Sequence, residues 1–420
     1  MSIITLSCTN FFNPLISCTK FFNPLVSSPS NSTSKSKAES HSHSTSVTAM
    51  EWSSGRVLGP APPDSDWWDK MLFSGAVVVK NPNPNPNPKT SNPNGDAYRM
   101  YYYGRSEDMW NMGVKPFNKS LPTGRIGMAL SADGTAFRRH RGSLPNGAIF
   151  DPSDDPAAFD SVHVAVSDAV YSEGKWCLYY FGGGMLELPL VGKPEEKHRG
   201  LRLLPGMASS DDGFLFSERF GPLLDVGKPG SWDENGVSWP RVFSGDGKLF
   251  MTYHTRESGG PAGMGFFSAG LAVSGDGKRW EKVGKILSVG ELGSWDEGGV
   301  SVRHVIRVGD EYVMFYEGSN FRFEFAIGLA LSSDGVTWRK DVECGREPGG
   351  PILTARTGED VWDNVIVGTP YVLPMPDGNF RMYYLGVGKV EANGEVTTQQ
   401  GMGLAVSDGA NFRLWKRYGC

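Results

Sequence analysis

The sequence predicts an all-β fold, a five-bladed β-propeller of four-stranded antiparallel blades. Three observations lead there. Of 420 residues, 54 are glycine and 12% are aromatic, where glycine usually supplies about 7%. That combination means many tight turns joining many buried strands. A motif, Gly-apolar-Ala-x-Ser-x-Asp-Gly with an aromatic three residues beyond its last glycine, recurs five times. An aromatic–Asp pair and a run ending in aromatics precede each copy in the same order.

The chain divides into a leader, residues 1–49, and a repeat domain, residues 50–420. Residues 1–38 contain no Asp or Glu, and 13 of them are Ser or Thr. No continuous apolar stretch of about 7–15 residues marks a secretory signal there, so the segment reads as an organelle transit peptide and disordered leader. The absence of Arg favours the chloroplast.

The motif copies are Gly127–Gly134 with Phe137, Gly206–Gly213 with Phe216, Gly270–Gly277 with Trp280, and Gly328–Gly335 with Trp338. The fifth, Gly403–Gly409 with Phe412, is one residue shorter. The aromatic–Asp pairs are Trp68-Asp69, Phe159-Asp160, Trp232-Asp233, Trp295-Asp296 and Trp362-Asp363. The aromatic runs end at Tyr103, Phe181, Tyr253, Tyr316 and Tyr384. Each repeat then reads as four strands. Strand A follows the aromatic–Asp loop, B is the aromatic run, and C is the Gly-x-Ala-x-Ser segment. The Asp-Gly turn, which favours hairpins, leads into D. One four-stranded sheet cannot bury both faces alone, and radial repetition solves that. The repeats are long for blades, so the surplus falls in loops. The Asn81–Pro88 tract is a solvated, polyproline-like insert between strands A and B of the first blade.

The formal charge of −5 argues against nucleic acid as a partner, because phosphate neutralisation needs an excess of Lys and Arg. No apolar run reaches the roughly 18 residues of a membrane span. Cys8, Cys18, Cys177, Cys344 and Cys420 have no metal-ligand spacing, and no phosphate loop occurs, so neither metal nor cofactor is expected.

The repeated Gly-x-Ala-x-Ser-x-Asp-Gly turns and the Tyr-Tyr-x-Gly strand ends resemble the five-bladed propellers of the arabinanase, levansucrase and invertase glycoside-hydrolase superfamily. The resemblance spans residues 60–420. It implies a carbohydrate ligand, with a funnel on the face where strands A start and strands B end. The Asp-Gly turns then lie on the opposite face, with Asp133, Asp212, Asp276, Asp334 and Asp408 as turn formers. The long B–C loops, about 104–124, 182–205, 254–268 and 386–401, face the funnel.

Glycoside hydrolysis needs two carboxyl groups. The resemblance implies acids at the starts of strands A. Five residues after each repeated Asp stand instead Ser74, Ala165, Ser238, Ser301 and Gly368. In the third blade the Glu-x-Pro spacing reads Ser238-Trp239-Pro240. The candidate catalytic acids are Asp168, the only carboxylate inside an inner strand, with Glu234 after the third aromatic–Asp pair and Glu317 at the end of strand B of blade four. Candidate substrate-binding residues are Trp239, Arg241, His254, Glu297 and His304. Arg256 and Arg303 add charge near the same face, and His304 is a candidate for holding an axial ion or water. Two readings follow: a glycoside hydrolase or close relative with paired carboxylates, or a glycan- or protein-binding propeller without the acids.

Overall fold

The computed structural model describes residues 55–70, 72–82, 84, 95–105, 123–190, 193–263, 265–345, 348–358, 361–392 and 395–420. The expected leader, most of the Asn81–Pro88 tract and the segment 106–122 lie outside them. The described residues are strands and turns, with no α-helix among them.

β1 (Arg56–Leu58) comes first in the chain but pairs with the last sheet. Unit one is the meander β2 (Leu72–Lys80), β3 (Tyr98–Arg105), β4 (Arg125–Ser131) and β5 (Arg138–His140). Unit two comprises β6 (His163–Ser172), β7 (Lys175–Gly183), β10 (Leu203–Ser210) and β11 (Glu218–Phe220), with the small hairpin β8 (Leu188–Leu190) and β9 (Lys193–His198) inserted between β7 and β10. Unit three runs β12 (Ser238–Gly245), β13 (Lys248–Glu257), β14 (Phe266–Ser274) and β15 (Glu281–Leu287). Unit four has β16 (Gly299–Val308), β17 (Glu311–Ser319) and β18 (Phe325–Ser332), with an outer strand in two pieces, β19 (Arg339–Lys340) and β20 (Leu353–Thr354). Unit five has β21 (Ile366–Pro374), β22 (Phe380–Ala392), β23 (Glu395–Asp408) and β24 (Asn411–Arg417). Its outer strand is also in two pieces: β24 pairs with Ala405–Asp408 of β23, and β1, from the start of the domain, pairs with Met402 and Gly403.

The repeated signatures have a common physical cause. In every unit the aromatic of the aromatic–Asp pair stacks on a strand-B tyrosine: Trp68 on Tyr102, Phe159 on Tyr180, Trp232 on Tyr253, Trp295 on Tyr316, and Trp362 on Tyr384. The ring centroids are 5.5–6.1 Å apart and the planes within 20°. A Cβ on the first glycine of each motif (Gly127, Gly206, Gly270, Gly328, Gly403) would fall 2.3–2.6 Å from one of these rings, so only glycine fits. The buried Asp beside the stack holds a cation from the outer strand, at 2.5–2.8 Å: Arg139, Arg219, Lys282, Lys340 and Arg417 in turn. The hydroxyls of Tyr180, Tyr316 and Tyr384 donate to the same carboxylates at 2.8–2.9 Å.

At the Asp-Gly turns, Ser131, Ser210, Ser274 and Ser332 Oγ each accept the glycine N–H at 2.9 Å. The Asp carboxylates accept the next backbone N–H groups, which holds Asp276 and Asp334 well below the usual carboxylate range. The outer-strand aromatic then packs on the preceding unit, as Phe216 on Tyr101, Trp280 on Tyr179 and Trp338 on Phe243. Unit five corrects the sequence reading. Asp408 pairs with Asn411 across a tight turn, so β24 starts at once and the equivalent aromatic is Trp415, not Phe412. Trp415 packs on Phe315 and donates Nε1 to the Phe412 carbonyl at 2.8 Å, as Trp280 and Trp338 do to their turn glycines. Unit one meets unit five in the same way: Phe137 packs on Tyr383, whose hydroxyl donates to the Gly134 carbonyl at 2.7 Å.

The connection expected as a loop at 386–401 is instead a continuation of the β22–β23 hairpin, paired out to Ala392 and Glu395.

Candidate functional site

The inner strands β2, β6, β12 and β21 are each an edge of their sheet, and β16 pairs with β17 on one side and meets β14 on the other through a single parallel bridge, Phe267 with Gly299. Each of these inner strands carries a register shift near its middle, for example between Ser238 and Arg241 in β12 and between Gly368 and Tyr371 in β21. Bulges turn side chains and add twist. Trp239 (φ 56°) and Thr369 (φ 47°) occupy the left-handed region there, uncommon for residues with a Cβ.

Eight residues beyond each repeated Asp lie Val77, Asp168, Arg241, His304 and Tyr371. The last four meet one another. Asp168 is buried, and Oδ2 accepts the Val242 N–H at 2.8 Å. Its Oδ1 accepts the Ala169 N–H at 2.9 Å and the Tyr371 hydroxyl at 3.2 Å. His304 stacks on Tyr371 with centroids 3.9 Å apart, and its Nδ1 accepts the Val372 N–H at 3.1 Å. The Arg241 guanidinium lies over the Tyr371 ring, 4.8 Å from its centroid. Asp168 and His304 therefore do the same work: each accepts an edge N–H from the next inner strand.

Glu317 forms a second buried group. Its Oε1 accepts the Ser301 hydroxyl at 2.5 Å, and Oε2 accepts the Thr369 N–H at 2.8 Å. A Cβ on Gly368 would fall 2.1 Å from Oε2. Glu317 thus fills the strand-start position of unit five from the neighbouring unit. Beside it, Arg303 donates to the carbonyls of Ser301 at 2.8 Å and Trp239 at 2.7 Å.

Burial sets the proton affinities. It pushes Asp168 and Glu317 above the usual carboxylate range, against the pull of Arg241 and Arg303 respectively. It pushes Arg241 down, and Arg303 down to about 9 with the charge of Arg241 adding to the effect. His254 and His304 are held well below the usual imidazole range, again chiefly by burial.

The remaining candidates lie elsewhere. Glu234 and Glu297 occupy equivalent loop positions, and each accepts a backbone N–H of its own loop at 2.6 Å, from Gly230 and Gly293. Neither carboxylate contacts Asp168 or Glu317. Trp239 is 1% exposed, packed among Phe181, Tyr103 and His254, with no face left open.

A cavity of about 470 Å³ opens where β12 starts and β13 ends, lined by Leu188, Leu203, Ser238, His254, Arg256 and Phe267 among others. His254 Nδ1 is buried with no partner in the protein. Burial lowers Arg256 to about 10. Among the described residues, no group of three or more His, Cys, Asp or Glu side chains gathers to hold a metal ion.

Sequence reasoning missed Tyr371 and the apolar walls Leu188, Leu203 and Phe267. Tyr371 shares the spacing of Asp168 and Arg241 from the repeated Asp, so that spacing was a usable signal. The walls come from an inserted hairpin and a strand end, which no repeat marks.

No protein-family model and no curated protein sequence matches the chain. Solved structures do match. A glycoside hydrolase superposes with a TM-score of 0.56 at 16% identity, over 85% of this chain and 93% of the other. A β-1,2-mannobiose phosphorylase from Listeria innocua gives 0.52 at 14% identity, over 84% and 95%. A thermostable family-43 glycoside hydrolase gives 0.52 at 15% identity, over 83% and 93%. The likeness is one of fold: the chain has the propeller-type fold of these solved structures.

Proposed function

We propose that this chain is a carbohydrate-recognising protein of the plastid, its five meanders the blades of a five-bladed propeller, which binds a glycan at the mouth of unit three without hydrolysing it. One observation carries this reading. Ser238, at the position where the resembled enzymes place an acid, lines the cavity together with polar groups, His254 and Arg256, and apolar surfaces. Such a mixture suits a sugar, which offers hydroxyls at its edge and C–H groups on its face. Asp168 and Glu317 are engaged by donors of neighbouring inner strands and hold the framework.

The position of Glu317 favours a second reading, hydrolysis. Its carboxyl accepts from Ser301 and Thr369 and lies against the strand-start Gly368, and a carboxyl raised by burial is suited to act as a proton donor.

Titration calorimetry of the full chain against plastid-relevant oligosaccharides, run beside an assay for released sugar, separates the two. Binding without turnover, weakened at least tenfold by His254→Phe, supports recognition. Turnover abolished by Glu317→Gln would replace it with hydrolysis. No binding at all would sink both.

A further inference from the structure

The structure holds a buried cation without an acceptor. Arg241 is 1% exposed, and its Nε, Nη1 and Nη2 have no hydrogen-bond partner in the protein. The Tyr371 ring covers its face but accepts none of its in-plane N–H groups. Asp168, the nearby carboxylate, is engaged by Val242 N–H, Ala169 N–H and the Tyr371 hydroxyl. Arg303, close enough for the two charges to lower its proton affinity, also has an Nε without a partner. Two residues before Arg241, the Trp239 Nε1 is a third buried donor without one. All five of these unmet atoms are donors, and four of them belong to two like-charged guanidinium groups.

A buried guanidinium is costly unless its charge and its N–H groups are met. Water meets some N–H groups but brings no charge. A planar or tetrahedral oxyanion meets both, because its oxygens match the guanidinium fork. We propose that the Arg241 guanidinium, at the centre of the ring of inner strands, is the receptor of a small free oxyanion of the phosphate class, held inside the protein and separate from the cavity over Ser238. At 1% exposure Arg241 is out of reach of a sugar that carries the anion, so the ion proposed is small and free.

Inorganic phosphate is the probe. Thermal unfolding of the full chain is followed with increasing phosphate, against sodium chloride at matched ionic strength. A saturable rise in Tm of about 2–4 °C over chloride is expected, absent in Arg241→Gln and retained in Arg279→Gln, which removes an exposed turn arginine. Equal responses to phosphate and chloride would overturn the proposal, leaving hydration as the occupant. So would a phosphate effect that survives Arg241→Gln or vanishes equally in Arg279→Gln. Should Arg241→Gln fail to fold, calorimetry of wild type decides: one-site, saturable heat for phosphate supports the site, and none refutes it.

Discussion

Two sets of five positions, one near the strand ends and one at the axis, follow opposite rules. The aromatic–Asp–Tyr–cation cluster is nearly the same in every unit, down to the close glycine and the 2.5–2.8 Å ion pair. The inner-strand positions eight residues further on are all different: Val77, Asp168, Arg241, His304 and Tyr371. The first set solves a problem local to one sheet, anchoring the entry of strand A under its own outer strand, and each unit must solve it alone. Four of the second set, Asp168, Arg241, His304 and Tyr371, meet at one place, where identical side chains would collide or repel. Difference there lets an acid, an imidazole and a phenol bond and stack on one another around a cation whose own N–H groups stay unmet. Repetition marks what each unit needs, and divergence marks what the fold as a whole needs.

The comparison predicts a hierarchy of damage. The largest loss should come from Asp363→Ala, which takes the shared carboxylate from Arg417, Arg356 and the Tyr384 hydroxyl together. Breaking a buried ion pair from one side costs about 3–5 kcal/mol, to be read as a lower urea midpoint. A loss below about 1 kcal/mol would show that the repeated cluster is not the anchor. Gly127→Ala should cost less, about 1–3 kcal/mol of overpacking, because the new methyl group would lie 2.3 Å from Trp68. The equivalent change at Gly409, where nothing lies within 4 Å of a Cβ, should cost only the strain of its φ of 64°.

The smallest effect distinguishes the axial set by pH. Burial lifts Asp168 and Glu317 above their unfolded values, so the folded chain holds their protons more tightly. Their contribution is full below about pH 4 and declines as pH rises through the folded-state values. Asp168→Asn combined with Glu317→Gln should flatten that decline in urea midpoints measured from pH 4 to 7. A wild-type profile no steeper than that of the double variant would mean that their protons do not count.

Much of the fold was legible because the repeat is periodic and its causes are local. The turn signature of Ser131, Asp133 and Gly134 describes contacts within a few residues. The order of aromatics and glycines describes one sheet face. The misreading of Phe412 for Trp415 arose where the repeat loses a residue, since spacing cannot tell a shorter turn from a shifted strand. The site was less legible. Asp168 stood out as a carboxylate in an apolar strand, but its partners Val242 and Tyr371 lie 74 and 203 residues away.

From the amino-acid order alone came the all-β class, the succession of four-stranded units and the turn chemistry, because each depends on neighbours within one unit. Tertiary structure alone decided which carboxylates are engaged, that Glu317 fills the space Gly368 leaves, and that β1 completes the last sheet. Those outcomes depend on side chains from different units meeting at the axis or at the seam, and no local pattern encodes a meeting across hundreds of residues.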